Sequence, residues 1–85
     1  MAQKLFTVTV YDKWGDKERY TFAAKDDVTA RAKAVAKHVS QAKQSMARIR
    51  AADERNGELS KDKNAYRFDE SDIDYCEVKF DGTLD

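Results

Sequence analysis

The chain contains no proline and only three glycines, Gly15, Gly57 and Gly82. Without proline, no helix is forced to kink and no stretch is barred from the middle of a sheet on that ground. Glycines this isolated exclude a Gly-rich loop of the kind that cradles phosphates. A single cysteine, Cys76, excludes an internal disulfide framework. With one histidine, His38, a closed zinc site would have to draw on carboxylates, so neither a structural metal nor a cofactor is expected. The chain also lacks an apolar run long enough for a signal peptide or a membrane span, and it shows no lipidation motif. A reducing cytoplasm is the compartment these absences point to. Formal net charge is zero, so no overall excess marks a nucleic-acid or membrane-surface protein.

The zero conceals a segregation. Residues 28–52 hold six Lys or Arg (Arg31, Lys33, Lys37, Lys43, Arg48, Arg50) with His38 and no acid. Residues 69–85 hold seven acids (Asp69, Glu70, Asp72, Asp74, Glu77, Asp81, Asp85) against one base, Lys79. Such a chain can fold back on itself electrostatically or present two opposite faces to partners.

The basic stretch is also the strongest structural signal. Val28, Ala32, Val35, Val39, Ala42, Met46 and Ile49 recur at alternating spacings of four and three, the one-face pattern of an amphipathic helix. Asp26 and Asp27 supply an N-cap and complement the positive end of the helix dipole. Asn56-Gly57 supplies a stop, with Gly57 at the left-handed position after the last turn. A helix over residues 28–55 is about 40 Å long at 1.5 Å per residue, whereas an eight-residue strand spans about 26 Å. It must therefore overhang its sheet or break near residues 40–45.

Two strands precede it. Residues 4–11 alternate Phe6, Val8 and Val10 with Leu5, Thr7, Thr9 and Tyr11, and residues 17–24 read as the returning strand after a turn at residues 12–16. Pairing Asp12 with Asp16 sets Val8 against Tyr20 and Phe6 against Phe22 on one face, and Thr7 against Thr21 and Thr9 against Arg19 on the other. Residues 66–68 suggest a short strand, and residues 73–80 the last one, with Cys76, Val78 and Phe80 on its apolar side. The expected fold is α+β: one domain over residues 1–85, a two-layer sandwich of order ββα(β)β. In it an antiparallel sheet of three or four strands carries one long helix on one face. The expected core is Phe6, Val8, Val10, Tyr20, Phe22, Val28, Val35, Val39, Cys76, Val78 and Phe80.

Chemistry finds little support. The closing run Phe80-Asp81-Gly82-Thr83-Leu84-Asp85 resembles part of the phosphatase motif of the haloacid dehalogenase superfamily, in which two Asp flank one residue after a buried strand. That resemblance would imply an aspartyl nucleophile, but Lys79 stands at its position and cannot form an aspartyl-phosphate. An EF-hand loop starting at Asp69 puts Ile73 at a ligand position and Asp74 where the glycine belongs. His38 has no nucleophile beside it in a known motif, and Cys76 occupies a core-facing position. No enzyme is expected.

Binding has more support. On a helical projection Lys33, Lys37 and Arg48 lie opposite the apolar stripe, spaced to meet a row of phosphates or carboxylates, or to form a solvated outer face. Trp14, flanked by Lys13 and Lys17, can anchor a partner, stack on a base or fold back on its hairpin. Ala42, Met46 and Ile49 carry the apolar stripe past the sheet. That patch is left open to a partner or to a second copy through the C-terminal half of the helix, unless Leu59, Tyr66 and Phe68 fold back over it. Asp72 and Asp74 head an acidic segment able to imitate nucleic-acid phosphates. The leading expectation is a small non-catalytic protein-binding module that docks on and blocks or bridges a larger protein partner. The alternatives are a nucleic-acid-binding domain using the cationic helix face with Trp14, and an acidic mimic of nucleic acid. In size and style the chain is similar to the small accessory and inhibitor proteins that phages encode, including inhibitors of host nucleases and CRISPR complexes.

Overall fold

A computed structural model of the chain describes residues 3–62 and 65–84. The elements follow the order β1 (Gln3–Asp12), β2 (Lys17–Ala24), α1 (Asp27–Arg55), a single 3-10 turn (Glu70–Asp72) and β3 (Ile73–Leu84). β1 is the centre of a three-stranded antiparallel sheet of order β2-β1-β3, and α1 packs across one face. The first two strands pair as their alternation requires, Phe6 with Phe22 and Val8 with Tyr20. The turn is held by Asp12, which is buried. Its carboxylate accepts from the backbone N–H of Trp14 and of Asp16, both at 3.0 Å, and Gly15 takes a positive φ of 87°.

The helix begins and ends where its caps dictate. Asp26 has extended backbone and accepts from the Thr29 N–H at 2.7 Å. At the other end the Gly57 N–H reaches the Glu54 carbonyl and the Glu58 N–H reaches that of Asp53. This paired pattern closes a helix through a left-handed glycine, here with φ of 69°. The 29 residues between run without interruption. Such a helix is about 43 Å long, and it gives the molecule a longest dimension of 53 Å. The radius of gyration, 16.1 Å, exceeds the value of about 12 Å usual for a compact chain of this length.

The helix is rotated from the orientation its stripe suggests. The residues on the sheet are Ala30 and Ala34, both without exposure, followed on the same line by His38 and Gln41, whose side chains meet the Tyr20 hydroxyl. Against an expected centre near Val35, this is a turn of about 100° around the axis. The reason is volume. Phe6, Val8, Val10 and Tyr20 already fill the space above the sheet, so the helix settles where it presents methyl groups. Val28, expected in the core, is 73% exposed, and Val35 and Val39 are half-buried at the flank. Phe80, also expected inside, is 53% exposed, because the helix lies mainly over β1 and β2.

Among the described residues the sheet has three strands, and residues 66–68 join none of them. Phe68 instead turns inward, 4% exposed, with its ring 5.5 Å from His38 and 6.0 Å from Trp14. Tyr66 donates to the Asp53 carboxylate at 2.6 Å. The returning segment is thus tied under the overhanging half of the helix, which prevents it from running along a sheet edge. Leu59 stays 44% exposed and Ile49 49% exposed.

Phe68→Ala should cost about 3–5 kcal/mol, read as a lower urea midpoint. A cost below 1 kcal/mol would show that the wedge is not needed. A second expectation concerns acid. The carboxyl of Asp26 is held below its usual range by hydrogen bonding from Thr29, and that of Asp72 by the Lys13 ammonium and then the Asp69 N–H. Their stabilisation is present above the unfolded carboxyl value of about 3.9 and is lost as pH falls through the lower folded values. Asp26→Asn, which keeps a capping oxygen, should flatten the fall in urea midpoint below about pH 4. An unchanged acid profile would refute the assignment.

Candidate functional site

Because α1 sits over β1 and β2, its valine side and the inner face of β3 are left apart. Val28, Ala32, Val35 and Val39 form an apolar wall with Arg31 and Lys43 beside it, and Glu70 closes one end. The groove they line has a volume of about 590 Å³. A smaller recess of about 390 Å³, lined by Phe6, Val78 and Phe80 with Lys4, Asp26 and Asp27, adjoins its other end, where Asp27 precedes Val28. The site is therefore an open apolar trough with cations along its helix wall and carboxylates at both ends.

The residues singled out from the sequence fall elsewhere, and they do not come together. Lys33 and Lys37 are exposed, and they lie toward β2. The helix rotation carries them to the β2 side, where the Lys33 ammonium donates to the Ala23 carbonyl at 3.2 Å. The Lys37 ammonium lies 5.7 Å from the Tyr20 ring centre and 5.6 Å from that of Phe22. Arg48 is exposed on the overhang beside Ala51, Glu54 and Arg55. Trp14 is 58% exposed but leans on Phe68, with the Lys13 ammonium 4.8 Å from its ring centre. Met46 is half-buried and Ile49 half-open on the same overhang.

The acids are divided between two places. Asp72 bonds Lys13 at 2.7 Å and also accepts from the Asp69 N–H, tying the hairpin tip to the start of β3. Asp69 pairs with Arg67 at 3.0 Å. Asp74 is exposed at a register shift of β3. Glu77 and Asp81 instead meet Tyr11 and Thr7 on the other side of the sheet.

That other side carries no helix. Its centre is a stack of Tyr11 on Tyr75, ring centres 4.4 Å apart and 11° from parallel, beside Thr7 and Thr21, whose hydroxyls lie 3.3 Å apart. Alternation with Val10 makes the outward position of Tyr11 legible, and the β1–β3 register sets its stacking on Tyr75. The valine trough was not legible, because its residues were assigned to the core.

Among the described residues, no three His, Cys, Asp or Glu side chains gather as a metal site requires. No described helix is long and apolar enough to cross a membrane. Compared with protein-family models, with curated proteins and with solved structures, the chain matches none.

Three phenols are perturbed. Burial, then the hydrogen bond and charge of Glu77, raises that of Tyr11. Burial and then Glu18 raise Tyr20, and the hydrogen bond to Asp53 leads for Tyr66. The unfolded chain should therefore release these protons first, so stability should fall as pH rises past about 10. A tyrosinate absorbance titration should run to higher pH in the native protein than in urea, and superimposed curves would refute this.

Proposed function

We propose that the chain is a small, non-catalytic protein-binding module that docks through the trough between α1 and β3, blocking or bridging a larger partner. The observation that supports this most directly is that two large apolar side chains on this side of the molecule, Val28 of α1 and Phe80 of β3, are both more than half exposed. Folding leaves that apolar area in water, and burial against a partner would recover it. The charged rim, Arg31 and Lys43 against Glu70 and Asp27, suits orientation of a protein partner. Nucleic-acid binding has less support, since Lys33 and Lys37 are engaged with β2. Phosphate mimicry is weakened by the engagement of Asp72 with Lys13.

The test uses side chains that the fold leaves exposed. Val28→Glu with Ala32→Glu keeps good helix formers and adds acid near the positive end of the dipole, so the helix should persist. In affinity capture from nuclease-treated extract, this variant should lose the bound protein by about tenfold or more, as expected for the centre of an interface. The triple variant Lys33→Ala, Lys37→Ala, Arg48→Ala should retain it. The opposite pattern, with low-salt gel-shift activity lost in the triple variant, would overturn the proposal in favour of nucleic acid.

A further inference from the structure

We infer that a second copy of the chain pairs with the free edge of β3, antiparallel about a two-fold axis at Val78, to make a six-stranded sheet. The inference goes beyond the reading of the trough as a docking surface and concerns the strand edge that borders it.

The two edges of the sheet are treated differently. At β2 the helix lysines cover the edge: Lys33 reaches the Ala23 carbonyl and Lys37 lies over Tyr20 and Phe22. Lysines placed this way deter strand addition. At β3 no side chain among the described residues bonds the edge backbone, and the inner-face Phe80 and outer-face Tyr75 are about half exposed. Register shifts leave Asp74 and Asp81 without an opposite residue in the β1 ladder, so between them residues 75–80 form a regular stretch at the outer edge of the sheet.

Charge selects the register. In an antiparallel two-fold pairing, residues on the same face must meet, so the axis can fall at Glu77, Val78 or Lys79. At Glu77 the two Glu77 carboxylates would face each other. At Lys79 the two ammonium groups would meet, and Glu77 would oppose Asp81 of the second copy. At Val78, Glu77 of each copy faces Lys79 of the other, giving two opposite-charge cross-strand pairs on the open face. On the inner face Val78 then meets its own equivalent and Cys76 meets Phe80, apolar against apolar. One register satisfies both faces. An axis perpendicular to the sheet keeps both helices on the same side, so the two valine walls face each other across a floor doubled in width.

The test is the mass of the full chain in solution. Light scattering over a concentration series should give twice the 9.7 kDa protomer mass. Lys79→Glu and Glu77→Lys should each weaken the dimer by about tenfold or more, since each sets like charges opposite one another. An equimolar mixture of the two should recover the dimer mass, because one then offers two acids and the other two bases. The double variant Glu77→Lys, Lys79→Glu should also dimerise. Urea midpoints close to the unsubstituted chain's show that the single variants fold. A protomer mass at every concentration overturns the pairing, as does a dimer indifferent to these charges. The trough reading stands or falls separately, on whether Val28→Glu with Ala32→Glu loses its captured protein.

Discussion

Ala30 and Ala34, neither with any exposed surface, determine how α1 lies on the sheet. A methyl group lets the helix approach until its backbone rests near Phe6, Val8 and Tyr20, and the bulk of the core then comes from the strands. The other positions follow from this contact. To one side of it, Lys33 and Lys37 fall toward β2; to the other, roughly 120–160° around the axis, Val28, Val35 and Val39 overhang the space beside β3.

The second half of α1 leaves the sheet and needs a different support. Phe68 wedges against His38 just before that point, in a chain of rings running from Trp14 through Phe68 and His38 to Tyr20 and Phe22, each within about 6 Å of the next. Lys13 with Asp72 ties the hairpin tip to the segment that enters β3, and Tyr66 with Asp53 ties the return segment to the helix. These contacts allow an uninterrupted 29-residue helix to project from a sheet shorter than itself.

Charge segregation along the chain therefore becomes something more local in the fold. The basic helix spends two of its lysines on the β2 edge, and the acidic segment spends Asp72 and Asp69 on Lys13 and Arg67. On the side of the molecule between α1 and β3, charged groups remain on the surface beside exposed apolar ones. Contact there would bury side chains that folding leaves in water, which is why both proposals converge on it.

The sequence by itself determined the elements and their local pairing. Alternation set the hairpin register, Asp26 and Gly57 set the helix ends, and Phe6, Val8, Val10 and Tyr20 were legible as core because period two admits only one inner face. The expected strand at residues 66–68 and the core positions of Val28 and Phe80 did not survive folding. Only the tertiary structure decided the rotation of the helix, and with it the trough, the covered and open edges and the inward turn of Phe68. The physical reason lies in the helix itself. Its alanine line and its valine line lie either side of Arg31 and His38 within one wide sector, and periodicity cannot say which of the two is buried. The volumes of side chains on another element, the sheet, select which part of that sector is buried.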